Sequence, residues 1–321
     1  MKIKLLIFLL INFAIESSNL LKFNKIVLWG HKLHSHTHSY IHWGFFRAFK
    51  HLGYEVLWLD KNDKVNNINF ENSLFITESQ ADENIPLRQD CFYILHNCTS
   101  LKYKQLIDSK KAITLQVYTH DCIPRKLTKM EPFILYNVEE QIIYMPWATD
   151  LLPHEINEIK KNLRFANKKK ESYFIGTVGA GTFGNINQIN PFIKACKENG
   201  ISFKTGISKS LEDNIYFIQN SFMAPAIQGE WQCKNGYIPC RIFKNISYGQ
   251  FGITNSETVY NLFDKKIVYN SDTYQLFYDA QKKIKNLTLN ELYELMDFVR
   301  DKHTYLNRIN CLFKFIKMVK N

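Results

Sequence analysis

The sequence contains no C-x-x-C pair, and its cysteines number seven, an odd count. That excludes a zinc ribbon and a closed disulfide framework, and leaves buried thiols in a reducing compartment as the reading. No apolar run reaches the ~20 residues that a membrane-spanning helix needs. The stretch from Leu5 to Ile15 is interrupted by Asn12 and follows Lys2 and Lys4. It has the layout of a signal-peptide core, yet Ile15-Glu16-Ser17-Ser18 is a poor small-residue cleavage site. Residues 1–20 are therefore read as outside the fold. The chain is expected to be cytoplasmic or peripheral at a membrane, with export as the alternative. Heptads, low-complexity tracts and solenoid periods are absent. Acidic charge is also scarce: 41 Lys and Arg against 30 Asp and Glu give a formal net charge of +11. The surplus favours anionic partners, such as phosphorylated substrates or an acidic membrane surface. Nucleic acid is left out of the expected partners, because the basic residues form no stripe interleaved with aromatics.

What the sequence does have is apolar material, 45% hydrophobic and 14% aromatic over 321 residues. That suffices for two domains of ~150 residues. Lys25 to Gly30 reads as a buried strand, and His31 to Thr37 as a polar loop. A helix from Ser39 places Ile41, Phe45, Ala48, Phe49 and Leu52 on one face, and Gly53 caps it. Tyr54 to Leu59 is the next strand. The same order recurs from Ser172, with a Gly-rich loop, a helix ending at Asn199-Gly200 and a strand from Ile201. Two such units imply parallel sheets. The expected fold is α/β: two doubly wound Rossmann-like domains, 21–150 and 151–321, facing a central cleft. Further strands are expected at Ser73–Thr77, Cys91–His96, Ala112–Tyr118 and Ile142–Trp147, and terminal helices near Asn290–Arg300 and Lys302–Met318.

Several segments carry chemistry. Gly179-Ala180-Gly181-Thr182-Phe183-Gly184 is a G-x-G-x-x-G loop between strand and helix, a pattern that lets backbone approach a phosphate. The acidic residue that a dinucleotide site needs about 20 residues on is missing, since the next strand ends in Lys204-Thr205-Gly206. NAD is thus disfavoured, and Asp60 is not expected to hold its ribose. A plain Gly turn is the alternative. Pro239 to Gly249 reads as a short helix with Arg241 in its first turn, where the dipole disfavours a cation unless an anion binds there. Lys244 lies one turn on. Thr254-Asn255-Ser256 follows as a polar turn able to offer donors to a phosphate or sugar. In the first half, His36 and His38 follow the first strand, where ligands collect, and either can deprotonate an acceptor. Closely spaced imidazoles also suit a metal. With no acidic or Cys partner nearby in sequence, no metal is expected, and exposed loop histidines are the plain alternative. Asp121, after His120, is a further candidate base or a turn cap.

Helix, Gly, short strand, polar turn, helix, strand resembles the donor site of GT-B glycosyltransferases. Arg241-Ile242-Phe243 and Gly249 are most similar to the spore-maturation-type branch, and Tyr144 to Asp150 resembles the interdomain crossing of such enzymes. The resemblance implies sugar transfer from a nucleotide-diphosphate sugar to a glycan, lipid or protein acceptor, without metal or other cofactor. It implies donor diphosphate contacts at Gly179, Gly181, Arg241, Lys244, Thr254, Asn255 and Ser256. Members of that branch carry Glu where this chain has Lys244. A Lys cannot accept ribose hydrogen bonds, so Glu230 or Glu257 would have to substitute. Two alternatives stay open: a nucleotide-sugar epimerase or hydrolase on this fold, and a catalytically degenerate binding protein.

Overall fold

The computed structural model describes residues 21–78, 83–98, 100–118, 126–164, 169–206 and 209–321. The first half builds one sheet from β1 (Lys25–Trp29), β2 (Val56–Leu59), β3 (Ser73–Glu78), β4 (Phe92–His96), β5 (Ala112–Gln116), β6 (Thr128–Glu131), β7 (Ile134–Asn137) and β8 (Ile142–Tyr144). Its order is β2-β1-β3-β4-β5-β8-β7-β6. The strands run parallel from β2 to β8, and β7 and β6 add an antiparallel edge. Ile26, Val27, Leu28 and Trp29 are all buried, so β1 is covered on both faces and reads as a continuous apolar run. Helix α1 (Ser39–His51) buries Ile41, Phe45, Ala48 and Phe49 as its spacing predicts, and Gly53 follows it at φ +84°. The short α2 (Lys104–Asp108) precedes β5. The β6–β7 hairpin is a surprise of the structure. Half of its strand residues are polar and most are half-exposed, so no clear periodicity marks it.

The second half repeats the design on a smaller scale. Parallel β9 (Lys169–Ile175), β10 (Ser202–Gly206) and β11 (Ser221–Met223) are ordered β10-β9-β11. A parallel bridge from Ala226 to Thr254 continues them into β12 (Ile253–Thr254) and β13 (Val268–Tyr269). Around them lie α3 (Pro153–Asn162), α4 (Ile186–Glu198), α5 (Leu211–Asn220), α6 (Glu230–Lys234), α7 (Cys240–Ser247), α8 (Glu257–Leu262), α9 (Thr273–Lys285) and α10 (Leu289–Lys302). Among the described residues no helix is long and apolar enough to cross a membrane.

The last helix, α11 (Tyr305–Lys320), departs from a simple division at residue 150. Its Tyr305, Ile309, Leu312, Phe313, Phe315 and Ile316 join the core of the first sheet, beside Phe45 and Phe49. Gly44 makes this docking feasible, because a Cβ there would stand 2.2 Å from the Tyr305 ring. The chain crosses between halves twice, and the crossings clamp each other. The Thr149 amide donates to His303 O at 3.0 Å. The buried Arg308 donates to Pro146 O at 2.7 Å and Trp147 O at 3.0 Å.

Candidate functional site

Between the halves lies a cavity of about 890 Å³. Its walls come from the segments that follow β1, β4, β5 and β8 on one side, and β9, β10 and the start of α7 on the other. These are the carboxyl ends of parallel strands, where open α/β sheets bind ligands.

On the second-half wall, Pro239 caps α7 with an extended backbone, and the helix opens at Cys240. Arg241 therefore sits in the first turn. Its guanidinium lies over the Phe174 ring at 3.9 Å, donates through Nη1 to Ile227 O at 3.2 Å and through Nε to Ile175 O. Burial lowers its pKa to about 10, which leaves it cationic at neutral pH. Gly176 adopts φ +121°, and a Cβ there would stand 2.5 Å from Arg241 Nη2. Only glycine meets both demands.

Lys244 also borders the cavity, but its ammonium is 2.8 Å from Asp150 Oδ2, and both side chains are almost wholly buried. Tyr248 donates its hydroxyl to the other carboxylate oxygen at 2.6 Å. Burial works against the Lys244 charge, and Asp150 outweighs it, so the pKa is raised. The expected pairing with a donor phosphate is thus replaced by a structural ion pair, because a buried ammonium requires a counter-charge.

Gly179 and Gly181 line the cavity. The loop folds onto the start of α4, however. Gly179 O accepts the Asn185 amide at 2.9 Å and the Ile186 amide at 3.0 Å, and Asn185 Oδ1 accepts the Gly179 amide at 3.1 Å. Those first-turn donors are occupied, so an anion here meets loop backbone rather than the helix end. Thr254, Asn255 and Ser256 are buried and do not border the cavity. Asn255 exchanges two hydrogen bonds with the Gln228 backbone, at 2.9 and 3.0 Å. Ser256 caps α8. Glu257 and Glu230 are exposed away from the cavity, and Glu230 pairs with Lys234 at 2.5 Å.

On the first-half wall, His36, His38 and His96 come together. His36 Nδ1 accepts the His38 amide at 3.2 Å. Burial lowers the His36 pKa, aided by His31 and His38. The neutral ring then carries its proton on Nε2, so it presents a donor rather than a base. His38 Nδ1 lies 3.3 Å from Glu78 Oε1, and His31 Nε2 lies 3.4 Å from Oε2. Glu78 ends β3 and is 2% exposed. Burial alone would raise its pKa, but the imidazoles of His38, His96 and His31 hold it at about 2. Burial lowers His96 to about 3, so this ring is neutral. Glu78 is the acidic partner that the sequence did not reveal. It follows the expected strand Ser73–Thr77 directly, and a charge at that carboxyl end was the available signal. His120 and Asp121 lie outside the described residues.

No protein-family model matches the chain, and no curated protein matches its sequence. Solved structures match its fold. An α-glucosyltransferase in complex with UDP and a 13-mer DNA containing a central A:G mismatch aligns with a TM-score of 0.60 and 10% identity, covering 92% of this chain and 100% of that one. An α-glucosyltransferase in complex with UDP alone gives 0.59 and 11%, with the same coverage. A third complex, with UDP and a 13-mer DNA containing a HMU base, gives 0.55 and 12%, again over 92% and 100% of the two chains. The two-domain Rossmann-like arrangement expected from the sequence is the fold these chains share. One expectation is overturned. Proteins of this same fold hold DNA beside UDP, so leaving nucleic acid out of the partners was an error. It came from seeking a contiguous basic stripe, whereas a folded surface can gather dispersed Lys and Arg from the whole chain.

Proposed function

We propose that this chain is a glycosyltransferase that takes a sugar from a UDP-type nucleotide sugar and passes it to an acceptor in the cleft. The observation that carries this reading is the cavity itself, with the Arg241 cation on one wall and His38 and His96, which flank the buried Glu78, on the other. Arg241 meets the donor diphosphate and the negative charge that grows as the glycosidic bond breaks. The histidine wall activates the acceptor hydroxyl, and His36 Nε2–H donates to whichever oxygen faces it. Phe183, 65% exposed at the cavity lip and edge-on to Trp231, offers a stacking face for a base. Resemblance to the spore-maturation-type branch rests on the sequence motifs Arg241-Ile242-Phe243 and Gly249.

For the acceptor, the net charge of +11 together with the DNA-bound relatives in fold supports a nucleic acid. Counterion release then makes acceptor binding salt-dependent. The test is incubation of the chain with UDP-glucose and other labelled UDP-sugars, with and without duplex DNA carrying hydroxylated bases. Label on the DNA is the expected result. Free sugar or an epimerised nucleotide sugar would favour a hydrolase or epimerase, and UDP binding without turnover a degenerate binding protein.

A further inference from the structure

We propose that His38, Glu78 and His96 form a binding site for one divalent transition-metal ion, which activates the acceptor hydroxyl. One ligand atom from each of these residues lies within 4.8 Å of the other two. His38 Nδ1 and Glu78 Oε1 are 3.3 Å apart. A tetrahedral ion with bonds of about 2.0–2.1 Å holds its ligand atoms about 3.4 Å apart. Among the described residues, buried His96 Nε2 has no hydrogen-bond partner, and buried His38 Nδ1 and Glu78 Oε2 make ion-pair-range contacts but no well-aligned hydrogen bond. His96 is 4% exposed and Glu78 2%. Polar atoms buried together without well-aligned hydrogen bonds are costly to hold unless something binds them. A pocket of about 10 Å³ bordered by the same three residues gives room for one small particle.

Two imidazoles and a carboxylate, with no thiolate, suit Zn²⁺, Mn²⁺, Fe²⁺ or Co²⁺. His31, His36 and Glu78 form a second trio around the same carboxylate. It is the weaker candidate, because His36 Nδ1 is taken by the His38 amide and its proton lies on Nε2. Three protein ligands leave a coordination position open, and His38 and His96 also border the large cavity. In the proposed site the open position lies on this cavity side, toward the acceptor. This role rests on the glycosyltransfer reading. A hydroxyl bound there loses its proton to water in the cleft. Its oxygen then bonds to the anomeric carbon as the bond to the diphosphate breaks, and that electron pair leaves with the diphosphate.

The full chain, untagged and stripped with chelator, is titrated with Co²⁺ followed by visible absorption, and then with Zn²⁺ in competition. One equivalent with the bands of a nitrogen- and oxygen-coordinated low-symmetry ion is expected. His96→Ala and Glu78→Gln should each weaken binding at least 100-fold, with circular dichroism confirming the fold. A His51→Ala, His154→Ala double variant should bind as the native chain does, since it removes only a stacked surface pair. Absence of stoichiometric binding by the native chain overturns the site, as do bands that survive both His96→Ala and Glu78→Gln. Thermal shift by UDP is read on the same samples. A UDP shift without Co²⁺ binding removes the metal site and leaves the donor site standing. Co²⁺ binding without a UDP shift does the reverse.

Discussion

Arg241 joins two functions in one side chain, and substitutions there separate them. It presents charge to the cavity and supplies donors to Ile227 O and Ile175 O. Arg241→Ala should weaken UDP binding roughly 10- to 100-fold, the worth of a charge-assisted hydrogen bond of about 1.5–3 kcal/mol. It should also cost about 1–3 kcal/mol of stability, because two part-buried carbonyls lose their donor. Arg241→Lys keeps the charge but not the planar fork or the stacking on Phe174, so little affinity returns. Calorimetric titration with UDP and urea unfolding read the two effects separately. Retained affinity in a folded Arg241→Ala protein would end the donor-site assignment. Gly176→Ala offers an independent check. The added Cβ would collide with the Arg241 guanidinium, and φ +121° penalises any side chain. UDP affinity should fall although no charged residue has changed.

The element that ties the cleft to the crossing is α7. Lys244 on this helix, Asp150 on the crossing segment and Tyr248 form a buried triad. Lys244→Met leaves an uncompensated carboxylate and should destabilise by about 3–5 kcal/mol in urea unfolding. Adding Asp150→Asn should recover part of that loss, so the pair is far from additive. Lys244→Glu, which restores the residue typical of the resembling branch, would set two carboxylates together and should be worse than Lys244→Met. A Lys244→Met protein with native stability would show that the ammonium is free to serve the donor.

At the scale of the whole molecule, the two halves are bolted by α11 and by the residues just before it. A chain ending at residue 304 loses the aromatic and aliphatic face that covers the first sheet. Each such side chain contributes about 1.5–3 kcal/mol on burial, so this truncated chain should unfold or aggregate, as a sedimentation profile would reveal. His303 adds a pH response. It stacks on Phe243 with ring centroids 4.6 Å apart, and its Nδ1 accepts from Arg308 Nη2 at 2.9 Å. Burial, with the charges of Arg308 and Lys302, lowers its pKa well below the ordinary value. The folded protein therefore refuses a proton that the unfolded chain accepts below about 6.5. Stability from this residue is complete above that pH and declines as pH falls, by up to about 1.4 kcal/mol per unit. His303→Gln keeps an acceptor for Arg308 and does not titrate, so the slope between pH 6 and 5 should flatten by one proton. An unchanged slope would place the proton uptake elsewhere.

The sequence by itself determined the elements whose cause is local. Apolar runs such as Ile26-Val27-Leu28-Trp29, the helical spacing of Ile41, Phe45, Ala48 and Phe49, and the glycines at 53, 200 and 249 act within a few residues. They made two parallel-sheet domains around a cleft legible, and they set Arg241 at the start of a helix. The tertiary structure decided the pairings. Glu78 joins His38 and His96 only because β1, β3 and β4 are neighbours in the sheet. Asp150 reaches Lys244 only because the crossing segment passes behind α7, and α11 leaves the second half to complete the first core. Thr254, Asn255 and Ser256 look like ligand donors in sequence, yet they face buried backbone once β12 pairs. Propensity and periodicity are written in neighbouring residues. The partner of a buried charge is chosen by which strands lie side by side.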